Sequence, residues 1–406
     1  MTWLVLFMIW ISNGMFPKMH IPGYFRVFLL IGAVLSYTVY NKRRAVINKK
    51  YIFPYLIMII LQLFTIAVNG LYFSFDTILI MSLTCGLLWC SNISKDEFMN
   101  GYRSAIMLIA VGSILLYFIG LVTHIYNVLP QAILNSTDFD GTYTILGTFV
   151  VIVRNSYTYY RNYGIFSEPG QFQIFLSIGL IFELFHNENI NYKRLIVYLL
   201  AYVTCDSTNG YITGSLIVIA YLFKTHKKIY GRKEKNFRRL LWIACISVII
   251  IACTTYESNS FIIGIMGKLG GLSSSYTYSS LGTGVERRRA FDVALQIFLK
   301  NPLTGLGYRG MISYITSLSG GKFIMTFSPL NWFARFGLIY GVLANVSYIS
   351  AFIKKSGIVS TIILVIAVIT MISAQAVGAD FMTSIIMMYG FIEAEGNINR
   401  VWTKGE

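Results

Sequence analysis

The chain has 406 residues, 56% of them hydrophobic and only 12% charged, and its mean hydropathy is +0.64. A soluble globule carries about 25% charged residues, so these values exclude an ordinary water-soluble domain. The formal net charge of +16 does not point to nucleic acid either, because Lys and Arg sit in short loops between apolar runs and not along one basic face.

Apolar runs approaching the roughly 20 residues a membrane-crossing helix needs recur from end to end. In chain order they predict helices near 2–16, 24–40, 51–68, 77–92, 104–123, 171–186, 195–206, 210–223, 240–253, 330–353, 357–376 and 378–394. The first run has no Lys or Arg ahead of it and no small-residue cleavage site, so it is expected to stay as a helix and not to be removed as a signal peptide. Residues 195–223 predict either two short helices or one re-entrant hairpin. The expected fold is all-α: one polytopic membrane domain over 1–406 with about twelve spanning helices.

Loop charge orients such a bundle. The basic loop 41–50 (NKRRAVINKK) reads as cytoplasmic. Alternation then places 94–103, 187–194, 224–239, 354–356 and both termini on the same side. Two long segments, 124–170 and 254–329, fall on the opposite, periplasmic side. The second is not expected to be structureless. Thr283-Gly284-Val285-Glu286 is a capping box. A helical pattern runs from Gly284 to about Lys300 with Phe291, Leu295 and Phe298 on one face, and Asn301-Pro302 stops it. No internal repeat is evident, which weakens the case for a secondary transporter.

The polar residues of these outer segments are the candidates for chemistry. Arg287, Arg288 and Arg289 follow directly on the helix start, where cations oppose the helix dipole. Free N–H groups and guanidinium forks together suit a phosphate. Salt bridges from Arg288 to Asp292 and from Arg289 to Glu286 are the competing explanation. Residues 154–171 bring Arg154 and Arg161 together with Tyr157, Tyr160 and Tyr163, whose rings suit either sugars or the membrane interface. Glu168 opens the next apolar helix, as a cap-type acid or as a functional carboxylate. Asp206-Ser207-Thr208-Asn209-Gly210 is a polar break between two apolar runs, which reads as a simple turn or as a cavity lining. Arg309 closes the tight turn that begins at Asn301. Asp380 and Arg335 read as structural or snorkelling charges. The five cysteines lie in apolar runs without a C-x-x-C pair and the four histidines are scattered, so no metal and no cofactor is expected.

These segments resemble a family. Arg161-Asn162-Tyr163-Gly164-Ile165-Phe166-Ser167-Glu168-Pro169-Gly170 is similar to the R-x-x-G-I-F-x-E-P motif of bacterial O-antigen and exopolysaccharide polymerases of the Wzy type. Ser207-Thr208-Asn209-Gly210 resembles the S-x-x-G of the helix pair that follows it. Arg287 to Phe291, Ala294 and Asn301-Pro302-Leu303-Thr304-Gly305-Leu306-Gly307 resemble the R-x-x-x-(W/F)-x-x-A…N-P-L-x-G-x-G pattern shared with O-antigen ligases. Phe336-Gly337-Leu338-Ile339-Tyr340-Gly341 resembles the family's G-L-I-x-G stretch. The matches cover about 160–345 in the family's order. Ligases usually carry a His-Asn pair before that stretch. Here it reads Thr326-Phe327-Ser328-Pro329-Leu330-Asn331, which favours a polymerase.

The resemblance implies a glycosyltransferase of the bacterial inner membrane that joins undecaprenyl-pyrophosphate-linked oligosaccharide repeats on the periplasmic face. It implies lipid-linked oligosaccharides as substrates, membrane lipids as surroundings, and a chain-length regulator and a flippase as partners. An O-antigen ligase, or a transporter of the same lipid-linked sugars, is the alternative. Within that activity Arg161 and Arg287 are expected to clamp the diphosphate, supported by Arg288, Arg289, Arg309 and Arg154. Glu168 is the expected general base with Asp206 behind it, and Tyr157, Tyr160, Tyr163 and Asn209 are expected to hold sugars.

Overall fold

The computed structural model describes residues 1–42, 46–123, 131–136, 139–146, 149–153, 161–205, 207–225, 283–319, 328–354, 357–373, 375 and 380–402. Helix α1 (Thr2–Asn13) breaks at the extended Gly14, and the chain turns through the short α2 (Met15–His20). Then come α3 (Gly23–Tyr40), α4 (Lys49–Asn69), α5 (Phe73–Asn92) and α6 (Lys95–Thr123). Local chemistry starts two of them. The Asn48 side chain accepts the Lys50 N–H before α4. Ser94 and Glu97 bond reciprocally before α6, a capping box that satisfies two otherwise orphaned donors.

Beyond α6 lie four antiparallel strands in meander order: β1 (Gln131–Ser136), β2 (Phe139–Leu146), β3 (Phe149–Val153) and β4 (Arg161–Asn162). In the register Ser136 faces Phe139 and Leu146 faces Phe149. After the sheet come α7 (Pro169–Phe185), α8 (Tyr192–Cys205) and α9 (Thr208–Thr225). The last group is α10 (Thr283–Lys300), α11 (Gly307–Ser319), α12 (Ser328–Ser350), α13 (Ile358–Ser373) and α14 (Phe381–Trp402).

Helix α7 is the axis of the bundle. It is apolar over most of its surface and buried from Phe172 to Phe185, with Gln173, Ser177 and Glu183 as its buried polar residues. It packs against α6, α8 and α9, while α13 lies on α9, and α14 on α5 and α12. The outward faces of α3 and α4 expose Phe25, Phe28, Phe53, Ile60 and Phe64. Contacts between distant segments gather at two ends. At one end Lys18 meets Gln171, and Thr65 and Asn69 of α4 donate to the carbonyls of Thr304 and Gly305. At the other, Lys95 pairs with Glu393 at 3.2 Å and His186 reaches the carbonyl of Phe352. There the fully buried Glu183 accepts from Arg194 at 2.7 Å, with Arg103 at 3.6 Å.

Several expectations change. The fold is mostly helical but not all-α, because strands β1 to β4 form a sheet. Its strands, such as Phe149–Val153 (FVVIV), are β-branched and aromatic but far too short to register as a span. The expectation of about twelve spans is met only in part. Among the described residues four helices, α3 to α6, are long and apolar enough to cross a membrane. Four further apolar helices are shorter: Thr2–Asn13, Pro169–Phe185, Ile358–Ser373 and Phe381–Ala394. Residues 195–223 fall in two helices, α8 ending at Cys205 and α9 beginning at Thr208. The expected helix at 240–253 lies outside the described residues. Helix α10 stands where expected, but a different stripe is buried. Ala290, Val293, Ala294 and Ile297 pack on Met311 and Ala334, whereas Phe291 is 40% exposed. Small residues at that stripe let α10 lie close on α12, and bulky Phe291 is left outside.

Candidate functional site

The segment from Arg161 to Gly170 is held from four directions. On β4, Arg161 is half-buried and pairs with Ile152 of β3. The buried Asn162 amide donates to Ser113 Oγ of α6 at 3.1 Å and to Thr204 Oγ1 of α8 at 3.0 Å, and its Oδ1 accepts the Gly164 N–H. The Met15 N–H bonds the Ile165 carbonyl at 2.8 Å, tying the segment to the α1–α2 corner. Phe166 stacks on Phe175 with ring centroids 4.5 Å apart. Half-buried Tyr163 gives its carbonyl to the Phe166 N–H.

Glu168 is thereby fixed at the start of α7. Its side chain does not cap the helix. Oε2 instead accepts from Gln375 Nε2 at 2.7 Å. Pro169 presets the first turn, where its missing N–H costs nothing. A Cβ on Gly170 would fall on Gln375 Nε2, so the position needs glycine for this clasp to close. The helix dipole further favours a negative carboxylate here.

Beside this clasp lies a chamber of about 200 Å³ between α1, α2, α3, α5, α7 and α14. Its polar lining is Ser12, Asn13, Lys18, Arg26, Gln171 and Asp380. Arg26 Nη1 donates to the Ser12 carbonyl at 3.2 Å, and its buried Nε has no partner among the described residues. Lys18 Nζ lies 3.4 Å from Gln171 Oε1. Lys18 as a residue is exposed, but its ammonium reaches over the chamber. Burial pushes its pKa down to about 8, aided by Arg26, while Asp380 and Glu168 pull it up. Asp380 caps α14 by accepting the Thr383 N–H at 2.6 Å. Burial pushes its carboxyl above the usual range, opposed by Thr383 and Lys18. The chamber thus faces two cations against one carboxylate, with Glu168 within electrostatic reach of Lys18.

A second junction forms from Asn301 to Arg309. The Leu306 N–H donates to the Ala334 carbonyl at 2.9 Å, and the Leu338 N–H to the Pro302 carbonyl at 2.7 Å. These bonds exist because α12 is interrupted at Gly337, with φ 79° and ψ −174°. A Cβ there would overlap the Leu303 carbonyl oxygen. The Asn301–Gly307 turn and the Phe336–Gly341 stretch are therefore two halves of one interface. Arg335 lies over the Tyr308 ring at 4.5 Å, and Arg309 is exposed alongside Gly70.

The sequence candidates fare unequally. Glu168 sits beside the chamber. Asn209 is buried and donates to Gln173 Oε1 at 3.1 Å, in a network that continues through Ser177 to Tyr202. Arg287, Arg288 and Arg289 stand in the first turns of α10, but their side chains lie outside the described residues. Arg154, Tyr157, Tyr160 and Asp206 lie outside them altogether. Sequence reasoning missed Lys18, Arg26 and Gln375 and discounted Asp380. One signal was present: the expected topology leaves Lys18 among few cations on the outer side. No protein-family model and no curated protein matches the chain.

Proposed function

We propose that this is an integral membrane glycosyltransferase. Its particular activity is polymerisation of undecaprenyl-pyrophosphate-linked oligosaccharide repeats, carried out on the periplasmic face of the bacterial inner membrane, with both termini cytoplasmic. The observation that carries the proposal is the Glu168 clasp: a carboxylate at a helix start, held by Gln375 from more than 200 residues away, beside a cation-lined chamber. The motif resemblance over 160–345 supports the same reading, as do four helices apolar enough to cross a membrane.

In this reaction an acceptor hydroxyl attacks the anomeric carbon of the lipid-linked donor. The bond from that carbon to the diphosphate breaks, and the hydroxyl proton passes to Glu168, with Gln375 holding Oε2 and Oε1 as the receiving atom. Arg161 and Arg287 stabilise the departing diphosphate, with Arg288, Arg289 and Arg309 in support. The substrate carries its own activated leaving group, so the step balances without a nucleotide.

The test is reconstitution of the purified protein with synthetic lipid-linked repeats, EDTA and no nucleotide. A ladder of longer products, reduced about 10²–10³-fold in Arg161→Ala or Glu168→Gln, is the expected result. Translocation without a new glycosidic bond would make the protein a transporter. Product only when lipid A core is added would make it a ligase.

A further inference from the structure

The chamber beside Glu168 has a second wall that the polymerase chemistry does not use. Besides Lys18 and Arg26 it is lined by Phe75, Ile78, Ile174, Phe175 and Phe381. Phe75 lines the chamber and is also 43% exposed, so the space opens toward the outer surface of the bundle at α5. The two helices that line the chamber through Arg26 and Phe75 also expose apolar side chains, Tyr24, Phe25 and Phe28 of α3 and Phe73 of α5. At about 200 Å³ the chamber holds roughly seven water molecules' worth of volume, enough for a phosphate or diphosphate but not for a sugar chain. A polar, cation-lined end joined to an apolar exit matches an amphiphile with an anionic head.

Arg26 supplies the second argument. One guanidinium nitrogen is used on the Ser12 carbonyl, while the buried Nε has no partner among the described residues. With Lys18 and Arg26 facing the chamber against the single carboxylate of Asp380, an incoming anion would balance the excess positive charge. Among the described residues the Lys18 ammonium has one long hydrogen-bond contact, 3.4 Å to Gln171, which an anion in the chamber could replace.

We infer that this chamber binds the phosphate head of a membrane lipid, with Lys18 and Arg26 as its ligands and the Phe75–Ile78 wall as the exit for the lipid chain. That the lipid is a polyprenyl carrier rests on the polymerase reading; that a lipid phosphate binds here does not. Both substrates of such a polymerase carry a lipid diphosphate, so two diphosphate sites are required, and this chamber is one of them.

The experiment uses the full chain in phosphatidylcholine nanodiscs with a photoreactive prenyl diphosphate. Label is expected on peptides containing residues 12–26, 75–78 or 171–175. Lys18→Gln and Arg26→Gln should each lower labelling at least tenfold. Lys18→Arg should retain it, and Lys193→Gln, an exposed cation at the other end of the bundle, should leave it unchanged. Label confined to other peptides in the unmodified protein overturns the inference, as does labelling indifferent to both charge removals. Inorganic diphosphate competing as well as the prenylated probe overturns the lipid assignment. Phosphatidylglycerol competing as well as the prenyl probe upholds a lipid-phosphate site but removes this support from the polymerase reading. Labelling that persists where the reconstituted protein makes no polymer overturns the polymerase reading alone.

Discussion

Gly337→Ala is the sharpest test of how the 301–309 turn is built. At φ 79° and ψ −174° the residue occupies a region open essentially to glycine, where another side chain costs about 1–3 kcal/mol. The new methyl would also overlap the Leu303 carbonyl oxygen, so the turn must move away. Moving it breaks the Leu306-to-Ala334 and Leu338-to-Pro302 hydrogen bonds, each worth about 1 kcal/mol. The expected loss is about 3–5 kcal/mol, a large part of the 5–15 kcal/mol typical of a folded protein. Denaturant unfolding is followed by tryptophan fluorescence, to which Trp332, 2% exposed and five residues before the break, contributes. The control is Gly32→Ala in α3, where an added Cβ meets nothing within 4 Å and gains up to about 1 kcal/mol of helix propensity. Equal unfolding midpoints for the two variants would refute the account of this junction.

Two further outcomes follow from charges in this structure. Glu183→Ala should destabilise the protein by about 3–5 kcal/mol, because Arg103 and Arg194 lose the carboxylate they share in a buried site. Glu183→Gln, which keeps an acceptor for Asn187 and the Asn191 N–H, should cost less, and equal denaturation midpoints for Ala and Gln would contradict this. Lys18 gives a pH signature. Its folded pKa of about 8 lies below the ordinary 10.5, so the unfolded chain binds this proton more tightly. Stability should therefore rise between about pH 8 and 10.5, and Lys18→Met should flatten that rise in thermal unfolding curves. A rise of the same size in both proteins would show that Lys18 is not drawn into the chamber.

Much of the architecture was legible because it is local. The helix at Thr283–Lys300 announced itself by its cap and by the Asn301-Pro302 stop. Apolar runs marked α3 to α6 because a spanning helix needs only length and hydrophobicity. The sheet of β1 to β4 was missed because a hydropathy scan tuned to spans passes over strands of five to eight residues such as β2 and β3. The buried stripe of α10 was also misjudged, because Phe291 outweighed Ala290 and Ala294 in apolarity, while close approach to α12 demanded small residues.

By itself the chain's sequence determined that helices form, where the chain turns, and that Glu168, Pro169 and Gly170 open α7, since each depends on neighbours a few residues away. Only the tertiary structure decided that Lys18, Arg26, Glu168, Gln375 and Asp380 share one corner. No local pattern links positions separated by more than 300 residues. Their meeting depends on how α1, α3, α7 and α14 close around one another, and the physical reason is packing: each buries its apolar length against its neighbours and so brings these polar ends together.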